Sequence, residues 1–165
     1  MSAPSAPLCP PPTLSDPLQQ KKFTIMSIQE IEQTIIDEFA AFDEWLDKYA
    51  YIIDLGKECP VIDEKDKTES NLIKGCQSRV WLSCEHRDGR LWFRADSDAV
   101  ITKGIISLLI RVLNGQTPRD ILAADLHFID QIGLKEHLSP TRSNGLTSMV
   151  KQIKMYALAY SQINP

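Results

Sequence analysis

The chain has no hydrophobic run long enough to cross a bilayer, no cationic excess and no paired C-x-x-C motif. Its most apolar stretch, Ala99 to Leu113, carries Lys103 and Arg111 and falls short of the ~20 residues that a membrane span requires. That stretch reads as a buried helix. With 18 Lys and Arg against 22 Asp and Glu, the chain also lacks the basic stripe that neutralises phosphates, which argues against nucleic-acid or anionic-headgroup partners. No cationic start or apolar run precedes Leu8-Cys9, so the pair does not read as a lipoprotein signal. The expected compartment is the cytoplasm, where thiols stay reduced. A domain of up to 165 residues buries enough surface to need no disulfide or metal staple, so the four cysteines are either chemical or incidental.

Six of the ten prolines, Pro4, Pro7, Pro10, Pro11, Pro12 and Pro17, fall within the first 17 residues. Such a stretch makes neither a helix nor a sheet ladder, and residues 1–25 are expected to form a disordered, dispensable arm. Met26 is followed by Ser27-Ile28-Gln29-Glu30, a capping box that opens a helix. A single domain is therefore expected over 26–165. Ile28, Ile31, Ile35, Phe39, Phe42, Leu46 and Tyr49 recur every three or four residues on one helical face that runs on to Leu55-Gly56. This is either one long helix or two with a bend, the second capped by Asp43. Residues 57–70 are charged and aperiodic, as in a surface loop.

Residues 79–85 and 91–95 are rich in Val, Trp, Leu and Phe and flank Arg87-Asp88-Gly89-Arg90, in which Asp-Gly signals a hairpin turn. Cys84 alternates in phase with Val80 and Leu82 and shares their face. Residues 71–74 offer a short third strand. Trp81 and Trp92 read as sheet residues packed under helices.

Everything after Asp96 looks helical. Ser97 or Asp98 can cap a helix that ends at Asn114-Gly115, and Thr117-Pro118 opens another. Asp125 to Ile132, closed by Gly133, gives a third, and Leu146, Met149, Val150, Ile153, Ala157 and Tyr160 face inward on a last one capped by Asn144. The fold class is α+β, a small antiparallel sheet covered by helices.

Only one cysteine has a setting that asks for an explanation: Asn71-Leu72-Ile73-Lys74-Gly75-Cys76-Gln77-Ser78-Arg79-Val80-Trp81. A glycine directly before Cys76 lets the backbone turn sharply and leaves the sulfur unshielded on one side. Lys74 and Arg79 favour the thiolate, the apolar neighbours Leu72, Ile73, Val80 and Trp81 oppose it, and sequence does not rank the two. A Gly-Cys pair also serves as a turn followed by a small buried hydrophobe.

This segment resembles the signature of the SufE family, the sulfur-acceptor partners of type II cysteine desulfurases. Four more segments agree in order: Lys48 to Gly56, Asp96 to Gly104, Thr117 to Ile121 and His137 to Leu146. The resemblance implies a SufE/IscU-like fold and a sulfur carrier rather than an independent enzyme. In it Cys76 takes a persulfide sulfur from a SufS-type desulfurase, stimulates that enzyme, and delivers the sulfur to a SufBCD-type iron–sulfur scaffold. It implies no cofactor or metal of the chain's own, the pyridoxal phosphate belonging to the desulfurase, and a monomer or homodimer. Gly75, Gln77 and Ser78 support the loop, while Asp98 and Arg142 are candidates for loop support or partner binding. Arg142 is read in a loop, where its guanidinium reaches a partner's acidic or carbonyl group.

Two other chemistries compete. A cysteine-nucleophile hydrolase needs an activated thiol too, but position 82 is Leu where a phosphate-cradling loop needs Arg, and His86, His127 and His137 form no recognisable Cys-His motif. A metal or cluster scaffold would use Cys59, Cys76, Cys84 and His86, whose spacing is poor. Cys59 reads as a loop residue and Cys84 as a small core hydrophobe.

Overall fold

The computed structural model describes residues 26–163, so the arm expected over residues 1–25 lies outside the described residues. The Ser27 capping box is present in both directions: Glu30 N donates to Ser27 Oγ and Ser27 N to Glu30 Oε1, each at 3.1 Å. It opens α1 (Ile28–Ala40). The chain then breaks and resumes as α2 (Trp45–Gly56), whose N-cap is Glu44, without a side-chain cap, and not Asp43. The break folds Tyr51 back onto α1, where its ring meets Phe39 edge-on at 5.2 Å and its hydroxyl donates to Glu38.

Residues 57–70 are more than a surface loop. Ile62 is 2% exposed, and Pro60 to Ile62 run parallel to β2 (Arg90–Ser97), with Ala95 N donating to the Pro60 carbonyl and Ile62 N to the Ala95 carbonyl. Two short 3-10 turns, Glu64–Asp66 and Glu69–Asn71, complete the segment. The third strand expected over 71–74 is only an isolated antiparallel bridge, Leu72 opposite Trp81.

The hairpin of β1 (Val80–Arg87) and β2 is longer than the sequence suggests, running to a two-residue turn in which Asp88 and Gly89 both hold positive φ. That backbone matches strand twist, which explains Asp-Gly there. Val80, Leu82, Leu91, Phe93 and Ala95 are buried on the inward face. Register puts Trp81 opposite Asp96 and Trp92 opposite Glu85, on the other face. The tryptophans therefore do not lie under helices. Lys67 sits over the Trp81 ring and Arg87 over the Trp92 ring, the cation–aromatic pairing expected of a half-exposed sheet face.

The outer edge of β2 is closed along its length. Ala95 bonds the Pro60–Ile62 segment, Phe93 N donates to Asn114 Oδ1, and Leu91 exchanges bonds with Gly115 and Gln116.

The centre of the molecule is α3 (Val100–Leu113), with 11 of its 14 residues buried. It crosses α2 at two glycines. A Cβ on Gly56 would stand 3.0 Å from Gly104 N, and one on Gly104 would run into the Ile52 carbonyl. Ser107 Oγ donates to the Leu55 carbonyl at 3.0 Å, a second bond at the end of α2 to a carbonyl that also accepts from Glu58 N.

Thr117 caps α4 (Pro118–Ala123) through the Asp120 N–H, with proline at the first position. The helix expected from Asp125 to Ile132 shrinks to α5 (Phe128–Gln131), because Leu126 holds a φ of +55° that no helix continues. Gly133, at φ +76°, leads into α6 (Leu134–His137). The last helix, α7 (Pro140–Ile163), starts earlier than Asn144: Ser139 Oγ accepts from Arg142 N, and Pro140 takes the first helical position. Leu146, Met149, Ile153 and Ala157 are buried along it. No helix among the described residues is long and apolar enough to cross a membrane.

Candidate functional site

Cys76 lies on the short connection that leads into β1, half-buried against α7. Gly75 before it holds a φ of +95°, which a side-chain-bearing residue adopts only with strain. The turn aims the thiol at α7, where Cys76 Sγ donates to the Gly145 carbonyl at 3.6 Å. A cavity of about 250 Å3 opens beside the sulfur. Gln77, Ser78, Thr102, Ser139, Thr141 and Arg142 supply its polar wall, and Ile105, Gly145 and Met149 its apolar part. Burial pushes the Cys76 thiol above its ordinary range. The balance left open by the flanking Lys74 and Arg79 thus goes to burial, and the resting group is a protected thiol with space beside it.

The family described as "SufE: Fe-S metabolism associated domain" matches residues 33–157. An uncharacterized SufE-like protein of Rhizobium meliloti (strain 1021) is 41% identical over 128 residues, 74% of this chain and 91% of its own length. The chain belongs to the SufE family. A second SufE-like relative, from Rhizobium etli, is 41% identical over 125 residues, covering 73% of this chain and 84% of that protein. The solution structure of a hypothetical protein from Thermus thermophilus superposes with a TM-score of 0.66 at 18% identity, covering 78% of this chain and 94% of that one. It shares the fold. SufE membership implies a sulfur-transfer role with a cysteine desulfurase as partner.

Within this SufE chain, the residues singled out from sequence fall into two groups. Cys76, Gln77, Ser78 and Arg142 share one cavity. Arg142 is exposed there, but it sits in the first turn of α7 and not in a loop. Asp98 stands apart from the cavity and does not cap α3. The N-cap of that helix is Ala99, without a side-chain bond. Asp98 instead accepts from Arg79 N at 3.0 Å while its own N–H donates to the Arg79 carbonyl at 3.2 Å, and Ser97 Oγ donates to the same carbonyl. These bonds fasten the residue at which the Cys76 connection enters the strand.

The other described cysteines are set in the body of the SufE fold. Cys59 Sγ faces the Ala95 carbonyl at 3.7 Å, and burial pushes its thiol up to about 11. Cys84 packs on the core and is pushed up to about 12 by burial. Among the described residues, no group of three or more His, Cys, Asp and Glu side chains comes together in a way that could hold a metal ion.

Sequence reading missed Gly145, Thr102 and Met149. The one available signal was Gly145 itself, an interior-helix glycine of the kind that has a packing reason. Placing the helix cap at Asn144 concealed it.

Proposed function

We propose that the protein accepts sulfur on Cys76 from a SufS-type, pyridoxal-phosphate-bearing cysteine desulfurase, stimulates that enzyme by clearing its persulfide, and hands the sulfur to a SufBCD-type scaffold for iron–sulfur assembly. The observation that carries the reading is the half-buried Cys76 thiol beside an unfilled cavity in a chain of the SufE family.

In the transfer step the Cys76 thiolate attacks the outer sulfur of the desulfurase persulfide. The new S–S bond forms as the old one breaks, the enzyme's cysteine leaves as thiolate, and no external oxidant or reductant is needed. The chain itself contributes no cofactor to this step. Because burial disfavours the thiolate, the docked desulfurase has to supply contact energy that opens the Cys76 connection. The reading carries a cytosolic setting with it, where reducing conditions keep Cys76 free for exchange.

The test is mass spectrometry after incubation with a type II cysteine desulfurase and L-cysteine. One added sulfur is expected on the peptide that contains Cys76. Cys76→Ser should take up none while keeping its thermal midpoint, since an oxygen-for-sulfur change at a half-buried loop position opens no core cavity. Sulfur uptake by that variant at the wild-type level would refute the assignment.

A further inference from the structure

The polar wall of the cavity beside Cys76 carries hydroxyls, an amide and one cation, Arg142, and no carboxylate. This is the reverse of the chain's balance, in which 22 Asp and Glu outnumber 18 Lys and Arg. Among the described residues the Arg142 guanidinium enters no ion pair. Its charge is unspent.

Thr102 supplies a second, independent observation. It lines the same cavity from the first turn of α3 and is only 6% exposed. Thr34 and Thr147 turn their hydroxyls back onto the carbonyl four residues earlier, but the Thr102 hydroxyl makes no hydrogen bond within the described residues. No side-chain polar atom there is both fully enclosed and unpartnered. The Thr102 hydroxyl is therefore open to the cavity, and whatever meets it has to enter. Nor does Cys76 use these donors: its Sγ donates to the Gly145 carbonyl, and burial is what moves its thiol.

We propose that the cavity binds a small thiol that carries a carboxylate, held by the Arg142 guanidinium with the Thr102 hydroxyl as a further donor, and that this thiol takes the sulfur from a Cys76 persulfide. The planar guanidinium suits a carboxylate. A volume of about 250 Å3 lies below the ~300–1,000 Å3 of pockets for drug-sized ligands, so it encloses a small molecule and not a segment of a partner. Because Cys76 lines the cavity too, a thiol anchored there has its sulfur beside the persulfide.

The inference rests on Cys76 being the sulfur acceptor, and it adds a diffusible second exit for the sulfur. The bound thiolate attacks the outer sulfur of the Cys76 persulfide. The new S–S bond forms as the old one breaks, Cys76 leaves as thiolate, and the small thiol leaves as a persulfide, with no external oxidant or reductant.

The site is tested first without any desulfurase, by the ratio of alkylation rates of Cys76 with iodoacetate and with iodoacetamide. The reference is the same ratio in the unfolded peptide of residues 71–81, which carries Lys74 and Arg79 and so cancels their attraction. The folded protein should exceed the peptide roughly tenfold. Arg142→Gln should bring the ratio down to that of the peptide, and Thr102→Val should lower it part of the way. A wild-type ratio equal to that of the peptide, or one retained in Arg142→Gln, overturns the site.

The transfer is tested on protein loaded by a type II desulfurase and L-cysteine and then desalted. At equal thiolate concentrations, 3-mercaptopropionate should discharge Cys76 about tenfold faster than 2-mercaptoethanol and with saturation, and Arg142→Gln should lose that preference. Equal discharge by both thiols overturns the transfer step. Should Arg142→Gln instead slow loading by the desulfurase while the two thiols act alike, Arg142 serves an acidic group of the partner and the proposal falls. Wild-type protein that takes no sulfur on Cys76 defeats the acceptor reading and with it the transfer, while the alkylation ratio still decides the carboxylate site.

Discussion

Asp98 reaches Cys76 only through the backbone of Arg79. Its carboxylate accepts the Arg79 N–H at 3.0 Å and its N–H returns a bond to the Arg79 carbonyl, so a single residue pins both polar groups at the end of the Cys76 connection. A hydrogen bond to an ionised acceptor is stronger than a neutral one, and an exposed one lies at the low end of that range. Asp98→Ala should cost about 1 kcal/mol in a urea titration. Its larger effect should be on chemistry. With Arg79 released, the loop samples more poses, and sulfur uptake on Cys76 should slow while the amount taken up at completion stays at one. An uptake rate equal to wild type would show that the loop keeps its pose without Asp98.

At the scale of elements, the crossing of α2 and α3 sets the platform on which the site stands, since Thr102 and Ile105 of α3 line the cavity. Gly104→Ala gains up to ~1 kcal/mol of helix propensity. It also drives a methyl group into the Ile52 carbonyl, which is backbone and has no rotamer to escape into. Overpacking of this kind costs roughly 1–3 kcal/mol or somewhat more, so a net loss of about 2 kcal/mol is expected, read as a lower urea midpoint at unchanged slope.

The elements readable in advance were those whose determinants are chain neighbours. The Ser27–Glu30 box, the Asp88-Gly89 turn and the Thr117-Pro118 start all act within four residues, and Gly75, Gln77 and Ser78 flank Cys76 directly. The misreadings share the opposite cause. Ile62 is buried by pairing with Ala95, Asp98 is claimed by Arg79, and the Gly145 carbonyl accepts from a sulfur 69 positions away. Leu126 holds its left-handed backbone while its side chain is buried, and nothing in its immediate sequence announces that.

For the molecule as a whole, two kinds of titratable group bound the pH range in which the fold is stable. Glu38 of α1 accepts both guanidinium nitrogens of Arg111 from α3 and the Tyr51 hydroxyl from α2, tying three helices at one carboxylate. The Arg111 bonds hold its carboxyl below the usual range, although partial burial works the other way. A carboxyl lowered in the fold binds fewer protons folded than unfolded. Its contribution is complete above the unfolded carboxylate value and is lost as pH falls through the folded one. Burial raises Cys59 to about 11 and Cys84 to about 12. For these thiols the fold keeps a proton that the unfolded chain releases, so stability falls as pH climbs from the ordinary thiol range toward those values. Stability should therefore be flat near neutrality and decline on both sides. Arg111→Met should lower the neutral plateau by about 2 kcal/mol, since it leaves a half-buried carboxylate without its cation and with the Tyr51 hydroxyl as its remaining donor, and it should flatten the acid limb. Cys84→Ala should flatten the alkaline limb and leave the acid limb as it was, because the thiol and the carboxylate share no partner. Urea titrations at a series of pH values would check both limbs, and an acid limb unchanged in Arg111→Met would move the acid sensitivity to Asp96, which Lys67 and Lys103 hold.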